Sequence, residues 1–176
     1  ALLLSLAAQD ISLVTQEGHA PVRGFAFSPD GQYLATAGNQ TAKLYRRDGV
    51  LLRTLGPNGG EVHSVAFSPD ASTLAVGTKH GVVLWSLSGD KLRTLEAVRT
   101  CSCATVAFAS KGRQVVCASK HSGLFVWTLQ GKLQWRFEKA RQVMALSPDA
   151  RTIFVTNKDE SIVKLRLRDG RVLSTT

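Results

Sequence analysis

Residues 62–78 read VHSVAFSPDASTLAVGT, and the fold is decided by how that phrase divides. An apolar run ends at Phe67, a Ser68-Pro69-Asp70-Ala71 segment follows, and a second apolar run resumes. Proline presets φ for the second position of a tight turn and aspartate can hydrogen-bond the local backbone, so the phrase predicts two antiparallel strands joined by a reverse turn. It returns as VRGFAFSPDGQYLATAG at 22–38, CATVAFASKGRQVVCAS at 103–119 and QVMALSPDARTIFVTN at 142–157. The anchors Phe27, Phe67, Phe108 and Leu146 are spaced by 40, 41 and 38 residues. Recurrence at a fixed period marks a repeat architecture.

Each unit continues with a third apolar run, AKLY from Ala42, VVLW from Val82, LFVW from Leu124 and IVKLR from Ile162. A fourth follows a glycine-containing turn: VLLRTL from Val50, KLRTL from Lys91, KLQWRF from Lys132 and RVLST from Arg171. Short strands rich in β-branched and aromatic residues, separated by frequent turns, indicate an all-β fold. No helical periodicity is sustained over three turns. The phrases VHSVAFSPD, LATAG, AKLY, VVLW and DGVLLRTL, in phase across residues 11–176, resemble the WD40 repeat family. The resemblance implies a β-propeller of four-stranded antiparallel blades, a fold with little catalytic history. In that family a Trp-Asp pair ends the third strand. Here the positions read Tyr45-Arg46, Trp85-Ser86, Trp127-Thr128 and Arg166-Leu167, so the aspartate is missing throughout. Gly18-His19 stands before the first blade and has no counterpart before the later ones, which leaves the family's buried His, Ser/Thr, Asp and Trp network incomplete.

Aligned on this period, residues 19–55, 56–97, 98–138 and 139–176 form four blades, and 1–18 form the end of a preceding one. Ile11 to Thr15 takes the place of an outer strand and Leu2 to Leu6 that of a third strand; a targeting remnant or a short helix are the alternatives for Ala1 to Ala8. About four and a half blades fall short of a typical propeller ring and leave two sheet faces uncovered. The expectation is therefore a segment of a larger propeller, with further blades from an upstream segment, a second copy or another subunit.

Hydrophobic residues make up 44% and charged residues 20%, a globular balance. No apolar stretch reaches the length of a membrane-spanning helix. The net charge of +9 is lopsided: six basic and six acidic residues up to Ser88, sixteen and seven from Gly89 onward. Such asymmetry suggests a basic surface that faces something acidic. Cys101, Cys103 and Cys117 form no disulfide framework and fall short of a closed zinc site; they read as small buried hydrophobes in a reducing, cytoplasmic setting. A processed amino terminus after an exported or organellar targeting segment is the alternative. Phosphate loop, nucleophile elbow and zinc-protease motifs are all missing, and His19, His63, His80 and His121 have no ligand-like spacing. No catalytic, metal or cofactor-binding residue is assigned, and an enzyme is not expected.

The loops between second and third strands and those between blades should emerge on one face, the top. There they would gather Lys79, His80, Arg99, Lys120, His121, Lys139, Arg141 and Lys158 into a rim that docks an acidic protein surface. Nucleic acid fits less well, because these loops lack the aromatic side chains on which bases stack. The expected function is a non-enzymatic interaction scaffold in a larger assembly. The rival readings are a sensor propeller of a multidomain STAND-type NTPase and a nucleic-acid-associated basic propeller.

Overall fold

The computed structural model describes residues 21–56, 60–97, 102–119, 121–147, 149–157 and 159–176. Residues 2–6 and 11–15, read above as strands of a preceding blade, lie outside them, as do Gly18-His19 and Cys101. Among the described residues sixteen strands form four antiparallel sheets, each a meander in sequence order. The first holds β1 (Gly24–Phe27), β2 (Tyr33–Ala37), β3 (Ala42–Arg46) and β4 (Leu51–Leu55). The second holds β5 (Val62–Phe67), β6 (Thr73–Thr78), β7 (Gly81–Ser86) and β8 (Lys91–Glu96). The third holds β9 (Cys103–Ala109), β10 (Gln114–Ser119), β11 (Gly123–Thr128) and β12 (Leu133–Phe137). The fourth holds β13 (Ala140–Leu146), β14 (Thr152–Asn157), β15 (Ile162–Arg166) and β16 (Val172–Thr175). The expectation of an all-β series of four-stranded antiparallel sheets, a partial propeller, is met. Among the described residues no helix is long and apolar enough to cross a membrane.

The sheets stack through alternate faces of their strands. First strands lie against one another, β1 against β5, β5 against β9 and β9 against β13. Ala35, Ala37, Ala42 and Leu44 of the first sheet share one core with Val65, Phe67, Leu74, Val76, Val83 and Trp85 of the second. The pattern advances by one sheet in the next two cores, where Ala75, Val82 and Leu84 meet Phe125 and Trp127, and Val116, Leu124 and Val126 meet Ile153, Val163 and Leu165. On the face toward the following sheet, side chains grow outward. In the first two sheets the first strands present Gly24 and Ala26 or Ser64 and Ala66, the second strands alanines or Gly77, and the third strands Ala42 and Leu44 or Val82 and Leu84. Close packing without voids then forces neighbouring sheets together near the first strands and apart near the last, so each sheet is a wedge. A Cβ on Gly77 would sit 2.9 Å from the carbonyl oxygen of Cys103 in the next sheet.

One alignment is corrected. Leu34 pairs with Tyr45, Leu74 with Trp85, Val115 with Trp127 and Ile153 with Leu165. Leu165, not Arg166, therefore holds the tryptophan position of the fourth repeat, and it is fully buried. A slip of one residue would turn every side chain of β15 to the wrong face. It would bury Arg166, whose guanidinium instead pairs with Asp169 at 2.7 Å.

The repeated turn is held by its own side chains. Ser28 donates to Asp30, Ser68 to Asp70 and Ser147 to Asp149, each at 2.5 Å, and these bonds hold the three carboxyls below their ordinary pKa. The fourth turn residue is left-handed in all three, with φ of 67° at Gly31, 56° at Ala71 and 51° at Ala150. Glycine reaches that region without the Cβ clash that costs an L-residue about 1–2 kcal/mol. Ala71→Gly and Ala150→Gly are each expected to stabilise the chain by about 0.5–1 kcal/mol after the unfolded-state entropy of glycine is deducted. Urea midpoints of the two single variants check this.

Candidate functional site: the upper rim

In a four-stranded meander the loops after second strands leave from one end and the turns after first and third strands from the other, so sheet topology assigns the rim. Lys79 and His80, both exposed, form the link between β6 and β7. The Lys79 N–H donates to the Glu61 carbonyl at 3.2 Å, the His80 N–H to Thr78 Oγ1 at 3.2 Å, and the His80 carbonyl accepts from Ala97 at 3.2 Å. Both link residues are thus pinned to the loops on either side. A Cβ on Gly60 would lie 3.6 Å from Lys79 Cβ and 3.8 Å from the His80 ring, so the loop entering β5 passes close beneath them. His121 is exposed beside the buried Gly123, where β11 begins. Lys139 precedes β13 and Arg141 lies in it, both exposed. Arg99, Lys120 and Lys158 lie outside the described residues.

Two groupings result: Lys79 with His80 and the Gly60–Glu61 loop, and Lys139 near Asp159, whose carboxyl is held below its ordinary pKa mainly by hydrogen bonds from Ser161 and least by Lys139. Acidic side chains share this end, Glu61, Asp159 and Glu160 among them, so the rim is patterned rather than uniformly basic.

The sequence reading missed a cluster at the mouth of the first two sheets. Arg23 donates from Nη1 to Glu61 at 3.0 Å and contacts His63 Nδ1 at 3.1 Å. Burial, with Arg23 alongside, lowers the His63 pKa and outweighs the opposing pull of Glu61. Burial and Arg23 thus favour the neutral ring, and Arg23 carries the positive charge of the cluster. The signal was present: Val22-Arg23 and Val62-His63 are equivalent positions one period apart, and stacked repeats put equivalent positions side by side.

The third repeat brings a correction. Cys103 and Cys117 form a disulfide between β9 and β10, with Cα atoms 5.6 Å apart. Strict alternation puts the two on opposite faces. A register shift at Ala118/Ser119 sets Cys103 opposite Ser119 and turns it to the face of Cys117. Both are fully buried in the core between the second and third sheets.

Against this geometry, the family model described as outer membrane protein assembly factor BamB (PQQ_2) matches residues 32–176. The WD domain, G-beta repeat model matches residues 11–46. No curated protein matches the chain.

Proposed function

Since the chain belongs to the WD40-like repeat propellers, its PQQ_2 match running over residues 32–176, we propose that it is a non-enzymatic interaction platform within a larger assembly. Proteins built of WD40 repeats generally mediate protein interactions. The family description as an assembly factor supports a role in bringing proteins together. One observation carries the assembly reading. Phe25 and Phe27 of β1 are 69% and 51% exposed, while Val65 and Phe67, their equivalents in β5, are 7% and 8% exposed between two sheets. Among the described residues nothing covers this aromatic face shaped for sheet stacking, which marks a contact surface.

The occupant of that face is another sheet, and charge argues against a second copy stacked end to end. Lys43 on the outward face of the first sheet holds the place of Val83, Phe125 and Val163. Lys164 on the outward face of the fourth, 5.6 Å from the Phe154 ring centroid, holds the place of Leu44, Leu84 and Val126. In each core these two kinds of position pack together. Self-stacking would bury two like charges, a cost that disfavours the wrong partner. The part of the covering sheet beyond the strands expected at residues 1–18 thus comes from an upstream segment or another subunit, and the rim of Lys79, His80, His121, Lys139 and Arg141 docks an acidic protein surface.

The test is the tagged protein recovered from its own cells. Phe25→Asp with Phe27→Asp should release the assembly. Lys79→Glu with Lys139→Glu and Arg141→Glu should weaken an acidic partner about tenfold or more with folding intact. A stable, monodisperse 19.0 kDa species refutes the assembly, and unchanged partner recovery refutes the rim.

A further inference from the structure

The lower face repeats a carboxylate at every turn but two. Asp30 and Asp48 serve the first sheet, Asp70 and Asp90 the second, Asp149 and Asp169 the fourth, and each accepts a hydrogen bond from its own turn. The corresponding turns of the third sheet read Ser110-Lys111-Gly112-Arg113 and Gln130-Gly131-Lys132. Neutral amides replace the missing acids: Ser110 donates to Gln114 Oε1, and Gln114 Nε2 donates to Gln134. Gln114 is 7% exposed, so this link is built into the sheet and is not a surface accident.

Beneath that network lies a cleft of about 540 Å³ lined by Ser110, Arg113, Gln114, Gln130, Gln134 and Arg168. Its two guanidiniums come from different sheets, and no carboxylate lines it among the described residues. Arg113 donates from Nε to the Ser110 carbonyl at 3.3 Å. Neither Arg113 nor Arg168 forms an ion pair among the described residues, since Asp169, next to Arg168, is taken up by Arg166 at 3.0 and 2.7 Å. The Arg168 turn is fixed in place. Trp135 Nε1 donates to the Leu167 carbonyl at 2.9 Å, and a Cβ on Gly170 would come within 2.8 Å of the Trp135 ring.

We propose that this cleft binds a carboxylate-bearing segment of another polypeptide, at the end of the sheets opposite the rim. Arginine forks match carboxylates in a bidentate geometry. The Gln130 amide donates and accepts, as an extended peptide backbone requires, and Leu129 adds an apolar contact. The lining has no aromatic ring on which a base could stack, which sets nucleic acid aside.

The experiment titrates the chain with a fluorescent hexaglutamate peptide at low salt, with inorganic phosphate and a single-stranded oligouridylate as competitors. Arg113→Glu with Arg168→Glu is expected to weaken hexaglutamate about tenfold or more. Arg113→Lys with Arg168→Lys should weaken it several-fold through loss of the forks. Arg47→Glu with Lys91→Glu, exposed basic residues outside both the cleft and the rim, should leave it within about twofold, which separates this site from general charge attraction. Both exposed arginines can be replaced without opening the core, and unchanged melting curves confirm it. Equal binding by the double reversal, loss of binding in the Arg47 and Lys91 variant, or competition by phosphate or oligouridylate at equimolar concentration each overturns the proposal.

Discussion

Replacing Trp127 by alanine is expected to cost about 3–5 kcal/mol, the range for emptying a fully buried tryptophan site. Trp127 is 1% exposed and is the largest side chain buried so completely. Its ring stacks on Phe125 at 5.6 Å and packs with Ala75, Val82, Leu84 and Leu95 of the preceding sheet. The residue therefore acts mainly between sheets, as the contact through which the third sheet is held to the second. Repeat arrays are stabilised by such neighbour interfaces as much as by the repeats themselves. Besides a lower midpoint, urea unfolding of Trp127→Ala should lose cooperativity and split into two transitions. Trp127→Phe keeps most of the contact and should retain a single transition. One sharp transition in Trp127→Ala, shifted by less than about 1 kcal/mol, would show that the interface does not hang on this ring.

That interface also shows what a sequence can and cannot announce. Strand–turn–strand units were legible because two local rules coincide four times in phase: an apolar run on either side, and a Ser-Pro-Asp turn or its variant between. What escaped depends on register or on contact between repeats. Lys164 interrupts the apolar run of β15, and that displaced the tryptophan equivalence from Leu165 to Arg166 until pairing with Ile153 fixed it. The Arg23–Glu61–His63 cluster needs two sheets to be stacked before its members meet. For the rim, the sequence gathered basic residues by topology but could not say which acids would stand among them. The lower cleft was overlooked for a related reason. Summed over all turns, lower-face charge is a mixture of signs, whereas the third sheet alone lacks carboxylates at both of its turns.

Removing the Cys103–Cys117 pair by a double alanine substitution is expected to cost about 3 kcal/mol, the loop-closure term for a cross-link of this span. The separation is 14 residues, and the bond ties β9 to β10 in the core between the second and third sheets. Alanine is the right replacement, since serine would strand two hydroxyls where both sulfurs are fully buried. Wild-type protein unfolded in reductant should match the double variant to within the smaller packing loss. Counting thiols in denatured, unreduced protein from its own cells carries the argument to the compartment: one reactive thiol of the three cysteines is expected. Disulfides persist where the surroundings oxidise and are rare where glutathione keeps thiols reduced. One thiol therefore moves the chain out of the reducing cytoplasm inferred from the cysteine spacing. Three would restore that inference, and the strands would then be held by their ladder and the Phe125–Trp127 core alone.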